Sequence, residues 1–554
     1  MPSLLNEQVD DQLLFERQES FSGGEDDYRR STLIDPDQCQ KLVNIIVRDN
    51  YEAWTRPGAD KFTESAGTES VPLLADDGTP LLADDGSPLL ADETTIATAP
   101  VRTLEYFDTP TNRWLLAVCN GKLKACSGTN VGWQLASPSY SCASDIRVEI
   151  VQGIDTCLIS DGVGALAVLD SGLGLTTCTT GVNDPPVGAT ILCWHTGRMF
   201  ASGITGTPDT IWVSNRLTFG NGQWDGTTRS FRIGSGDGDP ITAIHSVHDS
   251  LLAVFKANSI WLVDTNPTTA ITDWTAKDLG KVLGFGVGCV GKRAVASTGN
   301  DVFFMAQDGV RSLQRMEAAA GQWQLSAPIS QPVQQYINRI NQAQKSKIEA
   351  TAFKEFVLFA VPLDSSTTNN AVLVFNTRLS RWIGCWTGWT PSAFCKSRFG
   401  QIEQLLIGDS TGLVNAWKES NDSNLAATYL DNGASITGQK VYTRAFQFGD
   451  PVSQKEAYNC LLRFTAGSCV LNISAWLDLV SARTFQKTVS PSGDVLGVGK
   501  LGSFRLASVS PSKVEKSLRS LPSFNEMYLR IESESGWFKL RNITIAAFPK
   551  AYTG

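Results

Sequence analysis

A cadence of short strands constrains this chain more than any single motif. From about residue 101 to about residue 430, apolar runs alternate with polar turns, and sets of three or four runs recur every 45–60 residues. "WLLAVCNGKLKACSG" reads as a hairpin turning at Asn120-Gly121, two residue types that tolerate the positive φ of a tight hairpin turn. "RVEIVQGIDTCLISDGVGALAVLD" supplies three strands, and "ATILCWHTGRMFASG" and "DTIWVSN" follow. "PITAIHSVHDSLLAVFKANSIWLVD" supplies three more, broken at His248-Asp249 and Ala257-Asn258. "KRAVASTGNDVFFMAQDGVRSL" turns at Gly299-Asn300 and Asp308-Gly309, and "TAFKEFVLFAVPL", "NAVLVFNTRLSRWIGCW" and "IEQLLIGDSTGLVNAW" continue the pattern. One such unit cannot bury both of its faces, but units arranged radially can, so the expected fold is an all-β protein built on a β-propeller. A span of roughly 330 residues at this spacing predicts about six blades. With 48 Gly, 15 Trp and 25 Phe, the chain has the turn formers and aromatic strand residues this needs.

The 554 residues exceed one ordinary core, and the texture divides them. Residues 1–63 read as an arm and hairpin, 64–101 as an acidic loop, 102–430 as the propeller, and 431–554 as a second, sandwich-like β domain. In the arm, "LIDPDQCQKLVNIIVRDN" allows a helix with Pro36 at its first position. The β-branched Val43, Ile45, Ile46 and Val47 favour a turn at Asp35–Gln38 followed by a strand from Lys41 to Arg48. A second strand, Ala53–Arg56, ends in the turn dipeptide Pro57-Gly58. One helix is expected over 332–350, with Val333, Tyr336, Ile337 and Ile340 as its apolar stripe. Beyond 430, "SCVLNISAWLDLV" alternates, and "EMYLRIESESGWFKLRNITIAAF" reads as two strands about Ser535-Gly536. "VSPSGDVLGVGKLGSF" and "SPSKVEKSLRSLPS" read as long loops.

The net charge of −9 is concentrated in one place. Between Lys61 and Arg102 lie eight acidic residues and no basic one, within and around "PLLADDGTPLLADDGSPLLADE" at 72–93. Pro72, Pro80 and Pro88 mark a period of eight, too short and too few in copies to build a core. The segment reads as a duplicated surface insertion, with docking of a partner as the alternative. The rest of the chain is close to neutral and lacks the basic signature of a protein that grips DNA. Twelve cysteines, without CxxC spacing and mostly inside strand-like runs, read as small hydrophobes in a reducing compartment. The N-terminal "MPSLLNEQVDDQ" has no basic region followed by an apolar one, and the apolar runs are too short to span a bilayer, so neither a secretory leader nor membrane insertion is expected.

Motifs for chemistry are sparse. His245 and His248 are three apart on a strand and turn, with no third ligand near in sequence. "GVGCVG" at Gly286–Gly291 matches G-x-G-x-x-G but precedes strands, so it lacks the helix N-terminus that holds a phosphate. Asp237 and Asp239 in "GSGDGDP" read as a turn into a strand at Ile241 rather than a cation site. "SNRLTFGNGQW", Ser214 to Trp224, approaches the Asp-box turn of propeller sialidases but lacks its Asp. No G-x-S-x-G, H-E-x-x-H or Walker A pattern occurs. No catalytic, cofactor-binding or metal residue is assigned, and a non-enzymatic protein is expected.

Six phrases in order carry a resemblance: "FSGG" at Phe21–Gly24 with "VNIIVRD" and "TRPG"; "WHTGRMFASG…DTIWVSN"; "GDGDPITAIHSVHDSLLAVFKANSIWLV"; "GCVGKRAVASTGNDVFFMAQDGVRSL"; "AVLVFNTRLSRW"; and "TRAFQFGDPVSQKEA". Together they span residues 21 to about 460, and the chain resembles the β-propeller tail nozzle or tail tube proteins of short-tailed bacteriophages, also called packaged-DNA stabilisation proteins. The resemblance implies a platform in which the N-terminal hairpin joins the C-terminal β domain, with Pro57-Gly58 turning the chain towards the propeller. It implies a structural virion protein of the tail, assembled in the host cytoplasm into a ring, expected to be a hexamer. Its implied partners are a tail adaptor or connector protein above, fibres or spikes around it, and double-stranded DNA in the lumen. A receptor-binding or fibre-docking tail protein is the alternative, with a propeller glycosidase or a host scaffold further off. The acidic repeat matches nothing in this pattern.

Overall fold

The computed structural model describes residues 13–550 apart from 49, 63–98, 129–131, 138–139, 226–227, 249, 280–285, 322–326, 401, 419–427, 468 and 490–510. The acidic repeat at 72–93 and most of "VSPSGDVLGVGKLGSF" therefore lie outside the described residues. No helix among the described residues is long and apolar enough to cross a membrane.

Among the described residues, seven small antiparallel sheets follow one another from residue 101 to residue 417. In order they are 101–135, 149–177, 191–232, 241–278, 295–312, 349–387 and 391–417, called blades 1 to 7 below. The first strand of each blade packs against the first strands of its two neighbours, and Pro391–Ser397 of blade 7 returns to Val101–Asp108 of blade 1, closing the ring. The fold is thus an all-β propeller, with seven such sheets where the cadence predicted about six. The difference has two sources. Blade 5 has only three strands. Blade 7 draws its outer strand from far upstream, since Ala59–Lys61 pairs antiparallel with Val414–Trp417.

Apart from the outer strand of blade 7, the blades are made by local hairpins. Arg113–Cys119 and Lys122–Cys126 turn at Asn120 (φ 50°) and Gly121 (φ 71°), as the sequence predicts. Apolar residues between blades form the cores. Phe107, Leu116, Val118, Ile150 and Cys157 bury blade 1 against blade 2, for example.

The remaining strands form a platform of two sheets. One contains Pro511–Ser517, Lys455–Gly467, Trp537–Pro549, Ala53–Thr55 and Ile45–Val47, with Leu14–Gln18 also on Trp537–Pro549. The other continues blade 6 outward: Arg381–Thr387 meets Gln38–Val43, followed by Gln439–Thr443, Met527–Ser533, Cys469–Leu477 and Val480–Val489. Both sheets contribute to one core, which includes Leu42, Val441, Ile473 and Ile531 from one side and Ile46, Leu462, Ile543 and Ile545 from the other. Segments from both ends of the chain thus build one sandwich.

Three local expectations change. The strand foreseen from Lys41 to Arg48 is two strands, broken at Asn44, whose φ of 54° turns the chain from one sheet into the other. The helix foreseen over 332–350 is a short helix, Gln334–Asn338, between 3-10 turns at Gln331–Val333 and Gln342–Lys347. Its stripe is buried as expected, but Asn341 caps the next turn by accepting from the Ala343 amide and ends the helical run. "SPSKVEKSLRSLPS", foreseen as a loop, contains an edge strand, Pro511–Ser517, on Lys455–Gly467. Edge strands carry charges that a central strand would not tolerate, and this hides them from pattern reading.

Candidate functional site

Among the described residues, two places where charged side chains are grouped join distant parts of the chain, and neither stands out as a motif in the sequence. The first is the junction where the platform hands the chain to the propeller. Ala53–Thr55 belongs to a platform sheet and Ala59–Lys61 closes blade 7, so Arg56-Pro57-Gly58 is the crossing. Arg56 is buried and donates to both Asp431 oxygens at 3.1 and 2.6 Å. It also donates to the Thr387 carbonyl at 3.0 Å and lies 4.3 Å from the Trp389 ring centre. Burial would raise the Asp431 carboxyl, but Arg56 and the Trp389 N–H outweigh it and hold it below the ordinary aspartate range. A Cβ on Gly58 would lie 1.9 Å from the Leu430 carbonyl oxygen, so only glycine fits. Asn44 completes the seam by accepting from the Thr387 amide at 2.7 Å and donating to the Thr437 carbonyl at 2.8 Å.

The same seam joins distant phrases of the sequence. A Cβ on Gly24 of "FSGG" would meet the Trp382 carbonyl at 2.1 Å. Glu25 accepts from the Leu42 amide at 2.6 Å, and Trp386 donates to the Ile45 carbonyl at 2.8 Å. "FSGG", "VNIIVRD", "TRPG" and "AVLVFNTRLSRW" are therefore one structural unit.

The second place is the propeller axis. Arg102 and Glu105 belong to blade 1, Arg147 precedes blade 2 and Glu149 opens it, Lys292 and Arg293 precede blade 5, and Glu349 opens blade 6. Arg293 pairs with Glu149 at 2.9 Å and Lys292 with the same carboxylate at 2.9 Å. Arg147 pairs with Glu349. In a ring of seven, blades 2 and 5, and blades 2 and 6, stand three positions apart, so these bonds cross the axis. Burial alone would raise the Glu149 carboxyl, but Lys292 and Arg293 hold it at about 2. Burial lowers the Lys292 ammonium to about 8 and raises the Glu105 carboxyl to about 7, the latter partly opposed by Arg293. Two carboxyls so far apart in acidity suit acid–base chemistry in general. Here, however, Glu149 and Glu349 are both clasped by cations, and the arrangement fits an ionic plug better than a substrate site.

The residues singled out by sequence take structural positions. His245 and His248 lie on Ile241–His248, and burial and then Lys396 lower His245 to about 4. Among the described residues no three His, Cys, Asp or Glu side chains are grouped to hold a metal. His195 is fixed between the Ser246 and Thr265 hydroxyls at 2.7 Å each. Asp237 binds the fully buried Lys256 ammonium at 2.7 Å, and Asp239 accepts from the Asn258 amide at 3.0 Å, so the pair pins the turn leading into blade 4. A Cβ on Gly288 of "GVGCVG" would meet the Lys256 carbonyl at 2.1 Å, a close backbone approach, and the strand Val295–Ser297 follows. Trp224 of "SNRLTFGNGQW" is buried, with its N–H on the Phe219 carbonyl at 2.8 Å. None of the twelve cysteines is in a disulfide, and eleven of them are buried. Sequence reading missed the axial charges. Their signal is a charged residue at the entry to a blade's first strand, as in "IRVEI", "GKRAV" and "KIEAT".

No family model matches the chain, and no curated protein matches it. Solved structures similar to part of it include the computationally designed Ika8 protein (14% identity, TM-score 0.35, 58% of this chain and 97% of that one). Another is the AfRom2 CNH domain (13% identity, TM-score 0.38, 59% of this chain and 96% of that one). Likenesses this distant carry no functional argument.

Proposed function

We propose that the chain is a structural, non-catalytic subunit of a short-tailed phage tail, forming a nozzle or tube ring that retains packaged DNA and conducts it during ejection. The observation that carries this reading is the seam. The first and fifth of the phrases behind the resemblance lie more than 300 residues apart in sequence, yet they meet where the platform is fused to blades 6 and 7. The axial plug supports the same reading. With ion pairs crossing the propeller axis, a duplex has no path through one subunit and must pass between subunits, which calls for a closed ring of heterologous contacts.

The test is gold labelling of intact particles with an antibody against this chain, viewed by electron microscopy. Gold on the tail axis below the capsid is the expected result. Protein left in the lysate and absent from particles overturns the reading. A second reading, host recognition, rests on a groove of about 710 Å³ beside the blade 1 turn, lined by Trp114, Phe399, Asp108 and Asn112 among others. Gold at fibre tips would favour it.

A further inference from the structure

The groove beside the blade 1 turn lies where the ring closes. One wall is the turn from Asp108 to Trp114, and the other includes Phe399, from the turn between Pro391–Ser397 and Gln404–Asp409 of blade 7. Its volume of about 710 Å³ falls within the roughly 300–1,000 Å³ typical of small-ligand sites. Both aromatic residues are held by their neighbours. Phe399 packs edge-on against Tyr106, with ring centres 5.1 Å apart, and lies 5.7 Å from the buried Phe62. Trp114 donates its N–H to the Ser171 carbonyl at 3.0 Å, and Asn112 donates to the same oxygen at 2.8 Å. Thr109 braces the turn, since its hydroxyl donates to the Asn112 carbonyl at 2.8 Å and accepts from the Asn112 amide at 3.0 Å. Groups fixed in this way lose little freedom when a ligand arrives. The polar groups come in matched kinds. One oxygen of Asp108 accepts from Arg113 Nε at 3.0 Å. The other oxygen, the terminal nitrogens of Arg113 and the Asn112 side-chain oxygen make no further hydrogen bond among the described residues. The groove thus offers acceptors and donors side by side, and its one negative and one positive charge offset each other. That balance selects neither an anion nor a cation. A hydroxyl both donates and accepts, and a sugar ring adds a C–H face that an aromatic ring can cover.

We propose that this groove binds a neutral saccharide, with the sugar's apolar face on the aromatic residues and its hydroxyls bonded to Asp108, Asn112 and Arg113. Ring closure makes the site, because Phe399 reaches the blade 1 turn only through the return of blade 7 to blade 1. The ligand rests on the host-recognition reading of the groove and not on the tail ring. Binding by the isolated chain is read separately from the position of gold on particles, so either can fail without the other.

The experiment applies the full chain, clustered by a fluorescent antibody, to an array of neutral and acidic oligosaccharides. The expected result is saturable binding to at least one neutral oligosaccharide, weakened about tenfold or more in Asp108→Ala and in Arg113→Ala. Both side chains are about half exposed, and an exposed ion pair adds little stability. The bonds of Asp108 to Gln152 run through its backbone, so both variants should keep the parent Tm. Absence of binding to every neutral oligosaccharide overturns the proposal, as does binding confined to acidic ones or binding that both variants retain. Should a variant not fold, saturation-transfer NMR of the unmodified chain with the best-bound neutral oligosaccharide decides. Transfer concentrated on the C–H protons of one sugar face supports the site, and even transfer over the whole ligand overturns it.

Discussion

Arg56 shows how much one side chain contributes when it joins two bodies. Its guanidinium satisfies Asp431, Thr387 and the Trp389 face together. Arg56→Ala should cost about 2–4 kcal/mol, somewhat below the loss of a fully buried pair because Asp431 keeps 24% of its side-chain exposure. Arg56→Lys should recover little, since an ammonium cannot make the fork; urea midpoints of the two variants check this. Two buried groups make stability respond to pH in opposite senses. Burial lowers His195 to about 4, below its unfolded value, so its contribution is full above about pH 6.5 and is lost as pH falls towards 4. Burial, with Asp26 adding to it, raises Asp27 to about 6, so its contribution is full below about pH 4 and is lost as pH rises through 6. Asp27→Asn should therefore raise Tm at pH 8 and leave it unchanged near pH 4, and a rise of equal size at both would sink that account. None of this was legible from sequence. Arg56 was visible only as part of a turn phrase, and Asp431 lies 375 residues away.

At the scale of elements, local chemistry was legible and long-range pairing was not. The hairpin at Asn120-Gly121 and the alternating Cys469–Leu477 could be read directly, because turn residues and period-two burial leave their mark within ten residues. The outer strand of blade 7 could not, because Ala59–Lys61 finds its partner more than 350 residues later. Nor could the break at Asn44, where β-branched neighbours suggested one continuous strand. Glycines separate the two cases experimentally. Gly121 combines a φ of +71° with a would-be Cβ 2.2 Å from the Cys142 carbonyl, so Gly121→Ala should cost about 1–3 kcal/mol. Gly220 has nothing within 4 Å of its would-be Cβ, so Gly220→Ala should stay within about 0.5 kcal/mol of the parent. Chemical denaturation of both variants measures the contrast.

For the whole molecule, the propeller and platform were foreseen in outline, while the plugged axis was not, because its charges come from four blades and no local pattern unites them. The net charge of −9 bears on the proposed role. A conduit that released many counterions on binding would hold DNA rather than pass it. The isolated chain should therefore bind duplex DNA only weakly, and submicromolar affinity at physiological salt, measured by fluorescence anisotropy, would count against the conduit. The shared sandwich also sets an order of manufacture. Trp54 pairs with Lys539, and Leu14–Gln18 with Ile543–Ala547. As the chain leaves the ribosome, the ring can close once residue 417 has emerged, since its clasp at 59–61 has long been waiting. The base cannot be finished until the strand Trp537–Pro549 arrives. A half-made molecule is then a complete wheel on an unfinished mount, its early strands offering bare edges to any neighbour until one late strand covers them.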